Sequence, residues 1–234
     1  MALRIFDTDP DAKPKRREKK TYGEYTFQFR TGRAVNGRPV SLAKWRVLTG
    51  DPKVAEAVSL LMGGTVEEWD PTKEMNLEIL TDTDSVEIVI PGPDAIEDKL
   101  ILWGRSGPIH ECDGEFFLSP AEDAGKPCGC PRSLKERKAA AKAGRGPSPA
   151  ITVPFRLAHD YDLGPGKFLA TSWKFAETVH EVKNDLAEVG EEALCRLSIE
   201  LVEFDLPDGE HVKYRKPRID VIGSWNDAIA EPRD

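Results

Sequence analysis

Long apolar runs are missing from this sequence of 234 residues. No stretch approaches the roughly eighteen consecutive apolar residues of a membrane-crossing helix, so no membrane span is expected. Methionine is scarce, at three residues, cysteine hardly less so at four, and aromatic side chains make up 8%. An excess of positive charge is missing as well. The formal net charge is −8 and the isoelectric point is near 5.2, which argues against nucleic-acid binding by bulk electrostatics. No secretory signal is read at the start, where Met1-Ala2-Leu3-Arg4-Ile5-Phe6 turns polar too soon. With so few cysteines, the expected compartment is a reducing cytoplasm. Walker loops, Gly-x-Gly-x-x-Gly after a strand and Gly-x-Ser-x-Gly elbows are all absent. Nothing in the sequence sets a nucleophile beside a base, and it reads as a non-enzyme.

What cysteine there is lies concentrated. Three of the four cysteines and one of the four histidines fall between Pro108 and Pro131. The span runs Pro108-Ile109-His110-Glu111-Cys112-Asp113-Gly114 and closes on Gly125-Lys126-Pro127-Cys128-Gly129-Cys130-Pro131. Thiolates on tight Gly/Pro turns with a histidine nearby suit tetrahedral zinc, which takes N and S ligands. The expected site is a closed structural Zn2+ centre of Cys112, Cys128, Cys130 and His110. Both the His-x-Cys and the Cys-x-Cys pair are expected to bend the backbone hard, at Glu111 and at Gly129, and only glycine does so cheaply. Free thiols in a turn-rich insert and a disulfide are the alternatives. A catalytic zinc is a further one, for which only Glu111 and Asp113 offer a carboxylate base. Cys195 lies in an apolar alternation and reads as a core residue.

Charge is unevenly spread. Residues 13–20 hold six basic side chains and one acid, and residues 132–145 hold six more against Glu136. The remainder is therefore strongly acidic, and such basic runs suit contact with DNA or an acidic partner, or simply a solvated surface. Residues 1–22 read as a flexible basic arm, 23–225 as one α+β domain and 226–234 as a tail. Within the domain, 108–131 is the metal module and 132–149 a basic helix and hinge. The fold class expected is α+β: mostly antiparallel sheet packed by two main helices, with a zinc-knuckle-like Cys-rich insert.

Local signals support that organisation. Asn36-Gly37 marks a tight hairpin turn. Asp51-Pro52 opens a helix whose apolar stripe is Val54, Val58, Leu61 and Met62, and Gly63-Gly64 stops it. Strands at 76–80 and 86–90 are joined by Thr81-Asp82-Thr83-Asp84. Thr171-Ser172 caps one long helix bearing Phe175, Val179, Val182, Leu186 and Val189. Two long strands then form a hairpin about Pro207-Asp208-Gly209. His159-Asp160-Tyr161-Asp162 reads as a solvated loop.

Several blocks together resemble the recombination directionality factors that actinobacterial phages encode beside large serine integrases. They are Phe27-Gln28-Phe29-Arg30-Thr31-Gly32-Arg33, Trp45-Arg46-Val47, Thr49-Gly50-Asp51-Pro52, Trp103 and Gly107–Gly114. Phe117-Leu118-Ser119-Pro120, Gly125–Pro131 and Phe155-Arg156-Leu157 with Leu163-Gly164 and Ser172-Trp173 complete the likeness, which spans residues 22–180. The resemblance implies a protein that binds the integrase on attachment-site DNA and turns it from integration to excision. It implies protein–protein contact, with no strong independent DNA binding. It also leads one to expect a fourth cysteine near 144–147; none stands there, and the weight shifts to His110. The partner-facing residues suggested are Arg132, Lys135, Arg137 and Lys138. The alternative from another class is a phage single-strand DNA-binding or replication accessory protein using Trp45, Phe117 and Trp173.

Overall fold

Period-two burial dominates the chain, and strands follow from it. In the computed structural model, which describes residues 25–230, the first strands are β1 (Phe27–Val35), β2 (Arg38–Thr49), β3 (Val66–Glu68) and β4 (Leu77–Leu80). Next come β5 (Ser85–Ile90), β6 (Glu97–Trp103), β7 (Pro108–Cys112) and β8 (Phe117–Ser119). The last are β9 (Ser148–Leu157), β10 (Gly166–Ala170), β11 (Ala193–Asp205) and β12 (His211–Ser224). The helices are α1 (Pro52–Met62), α2 (Leu134–Lys142), α3 (Trp173–Ala176), α4 (Val179–Val189) and α5 (Trp225–Ala230). The protein is mixed α+β and dominated by sheet. The basic arm expected at 1–22 lies outside the described residues.

The main path of the sheet runs β12-β11-β5-β9-β10-β1-β2-β4-β3, with β6, β7 and β8 branching from β9. Every pair is antiparallel except β1 with β10. β9 is the pivot: Pro149, Ile151, Val153, Phe155 and Leu157 are all buried, in strict alternation. One edge of β9 pairs with β10, and the other passes from β6 at 148–152 to β5 at 156–157. Pro154, which has no N–H to donate, falls in that gap.

Apolar burial holds this sheet against its helices. Phe27, Phe29, Trp45, Phe155, Phe168 and Phe175 are each at most 1% exposed, with successive ring centroids 5.2–5.9 Å apart. Each such ring contributes about 1.5–3 kcal/mol through burial. Val54, Ala55, Val58 and Met62 of α1 and Val179, Val182 and Leu186 of α4 join the same core. α1 begins as its sequence predicts, with the Asp51 carboxylate accepting from the Lys53 N–H, and stops at Gly63.

Four local expectations are corrected. β4 and β5 are not hairpin partners: β4 pairs with β2 and β3, and β5 with β9 and β11. The connection between them is a hub instead. Trp45 N–H donates to Thr83 C=O at 3.0 Å and Ile199 N–H to Asp84 C=O at 2.8 Å, so β2 and β11 meet there. The long helix expected after Ser172 is two, because the Thr178 hydroxyl donates back to the Phe175 carbonyl and its φ of −114° interrupts the turn. In the segment 159–162, His159 and Asp162 are exposed, as expected of a solvated loop, but Tyr161 is packed. Tyr161 stacks on Trp225 at 5.9 Å and its hydroxyl reaches Glu192 at 3.0 Å. Trp225, at 8% exposure, anchors α5 where only a tail was expected.

Candidate metal centre

Two of the predicted ligands come from one strand. In extended backbone alternate residues project to the same side, so His110 and Cys112 on β7 face together without a bend. The kink expected at Glu111 does not occur. Glu111 takes the opposite face, where its carboxylate meets Lys99 Nζ at 2.8 Å.

The other two ligands return by a tight excursion. After Gly114, at φ 109°, the Asp113 carboxylate accepts the backbone N–H groups of Phe116 at 2.7 Å and Glu115 at 2.8 Å. Those bonds hold its pKa below the usual carboxylate range. Phe117 N–H then donates to Lys126 C=O and Gly125 N–H to Phe117 C=O, both at 2.9 Å. Cys128 N–H donates to Glu115 C=O at 2.8 Å, which sets Cys128 beside β7. Gly129, at φ 70°, makes the left-handed turn expected of it and swings Cys130 back toward Cys112.

The four ligand atoms of His110, Cys112, Cys128 and Cys130 all lie within 4.8 Å of one another. Cys112 Sγ is 3.9 Å from Cys130 Sγ, and Cys130 Sγ is 3.4 Å from His110 Nε2. Ligands on a shared tetrahedral zinc-sized centre stand ~3.8 Å apart for S···S and ~3.6 Å for S···N. A disulfide needs about 2.05 Å, and all four cysteines are free thiols. The group can therefore hold a metal ion.

Its electrostatics fit that use. Cys112 is fully buried and burial pushes its thiol up to about 12; burial raises Cys130 too, against a smaller opposing pull from Arg137. Burial lowers His110, which keeps its imidazole in the neutral, ligating form. A cation entering this site would displace thiol protons rather than find thiolates waiting. The His110 ring rests on Phe117, centroids 4.7 Å apart.

The neighbourhood divides the four suggested partner residues. Arg137 Nη2 donates to Gly114 C=O at 2.6 Å, tying α2 to the turn that follows Cys112. Lys138 meets Glu177 at 2.8 Å. Arg132 and Lys135 are exposed and form no ion pair among the described residues. Sequence reasoning missed the Arg137 tether and the Lys99–Glu111 pair, since neither follows a local spacing rule. Cys195 lies fully buried in the main core, away from this group. Trp45, named above as a base-stacking candidate, is also fully buried there, while Trp173 is half-buried. No helix among the described residues is long and apolar enough to cross a membrane. No family model matches the chain, and no solved structure matches it.

Proposed function

We propose that this protein is a recombination directionality factor, which binds a DNA-bound large serine integrase and turns it from integration to excision. The resemblance carried by Phe27–Arg33, Gly107–Gly114 and Gly125–Pro131 supplies the identity. The convergence of His110, Cys112, Cys128 and Cys130 within 4.8 Å is the observation that carries the mechanism, because it gives the last two of those blocks a common purpose. The ion assigned is Zn2+ in a structural role. Four protein ligands fill a tetrahedral shell and leave no open position for a reacting water. Glu111 and Asp113, the two carboxylates near enough to act as a base, are committed to Lys99 and to backbone N–H groups. These features support a structural and not a catalytic role for the ion.

In this reading the module is a rigid platform and α2 is its basic face. Preorganised surfaces bind more tightly because less order is lost on association. Arg132 and Lys135 are the first residues to contact an acidic patch on the integrase. Switching a near-complete preference of the integrase requires binding one arrangement about 10⁴-fold more tightly than the other.

Recombination in vitro with the integrase encoded nearby, in both directions and with or without this protein, is the direct test. Excision should appear and integration should fall. If neither direction changes while the protein binds single-stranded oligonucleotide in a salt-sensitive way, the assignment passes to single-strand DNA binding.

A further inference from the structure

On β1, β2 and β4, two arginines meet one carboxylate and a third stands directly across from one of them. Arg30 and Arg46 are direct cross-strand partners, and like charges so placed repel. Arg46 and Glu78, 9% and 6% exposed, form an ion pair; Arg33 Nη1 reaches the same carboxylate at 3.7 Å. Among the described residues Arg30 has only a neutral partner: it donates to the Gln28 amide oxygen in the orientation that satisfies both groups. Burial, aided by the Arg46 charge, lowers its pKa, a sign that its cation is poorly compensated.

These residues open onto a groove of about 360 Å³ lined by Arg30, Arg33, Arg46, Val40, Leu48 and Trp69, among others, none of them acidic. The Arg46 guanidinium lies 4.8 Å from the Trp69 ring centroid, and Trp69 Nε1 donates to Met75 C=O at 2.8 Å, which fixes this wall. Glu67 stands opposite Glu78 on β3, but it is exposed and pairs with none of the three arginines. Among the described residues, one buried carboxylate beside three guanidiniums leaves two positive charges facing a cavity, in a protein whose net charge is −8. A guanidinium is a planar fork suited to two oxygens of one anion, and its weaker hydration lets it sit part-buried until that anion arrives.

We propose that the Arg30–Arg33–Arg46 groove is a binding site for a phosphoryl group, with Glu78 holding Arg46 in place and Trp69 forming the wall. The dianion supplies the two charges the cluster lacks. A source in free phosphate and a source at the end of a nucleic-acid strand share this chemistry. The site is separate from the metal centre and does not depend on the recombination reading.

The test uses the full chain in chloride buffers of matched ionic strength. Thermal unfolding and NMR or calorimetric titration are followed with inorganic phosphate, with a 5′-phosphorylated oligonucleotide and with the same oligonucleotide lacking that phosphate. Saturable binding of phosphate, or of the phosphorylated strand above its unphosphorylated twin, is expected and identifies the source. Arg33→Ala, at a half-exposed position, should weaken that binding about ten-fold or more. Arg30→Gln should abolish it while leaving the unliganded melting temperature level or higher, since it relieves the Arg30–Arg46 repulsion. That last result separates a ligand site from a structural one. No saturable binding by either probe, or binding unchanged in both variants, overturns the proposal.

Discussion

Cys112 has the most demanding environment in the metal group, because its thiol is buried and must lose a proton on binding a cation. Metal affinity should therefore fall as pH falls. The sign follows from the Cys112 thiol: raised to about 12, it leaves protons competing with the metal at every lower pH, by up to ~10-fold per unit, and the raised Cys130 thiol adds in the same direction. His110 adds little to that loss near neutrality, because its own pKa is lowered. A competition titration with a chromogenic chelator between pH 6 and 8 measures the slope; a flat profile would rule out thiolate ligation. Cys128→Ser should purify with its bound zinc largely lost, as read by elemental analysis, while Cys195→Ser should retain it. Elsewhere a glycine is fixed by packing and not by its φ. A Cβ on Gly166 would overlap the Phe27 ring, so Gly166→Ala should cost about 3 kcal/mol in denaturant unfolding.

Among the elements, α2 depends on few contacts. It has no buried residue, and the Arg137 bond to Gly114 is its tether to the module. Hydrogen bonds to charged groups contribute ~1.5–3 kcal/mol. Arg137→Ala should speed amide exchange over 134–142 by about ten-fold or more, with the metal still bound; unchanged exchange would mean that the tether holds nothing. The helix itself was readable, since Ser133 caps it and Ala and Lys fill it. So was α1, whose Asp51-Pro52 start and Gly63 stop are local chemistry. The break at Thr178 was not, because the apolar stripe from Phe175 to Val189 keeps helical spacing across it. The separation of β4 from β5 was equally hidden. Thr81–Asp84 has turn composition, and only the distant Trp45 and Ile199 decide that it receives two other strands. The candidate metal ligands were legible because cysteine is rare and clustered. The arginine groove was not, since Arg30, Arg46, Trp69 and Glu78 sit on separate elements and become neighbours only through pairing.

At the scale of the whole molecule, the metal group lies outside the main core. Neither Cys112 nor Cys128 belongs to that core, which is built from β1, β2, β4, β5, β9, β10, β11, β12 and the inner faces of α1, α3 and α4. Chelation should thus unfold the module locally and leave the rest standing. With EDTA, limited proteolysis should cut within 113–130, and near-UV circular dichroism from the buried aromatics should persist. Loss of the whole near-UV spectrum would show that the metal holds the entire fold.

The hub at Thr81–Asp84 and the parallel pairing of Phe27 with Gly166 together set a rule of timing. β1 waits for a partner 139 positions along the chain, and residue 84 waits for Ile199. On a ribosome the first half of this chain emerges with β1, β5 and β6 each short of a later partner and its phenylalanines uncovered. Native closure is reached only after β11 has left the exit tunnel, so this protein is born late, and whatever guards it from aggregation must act before then.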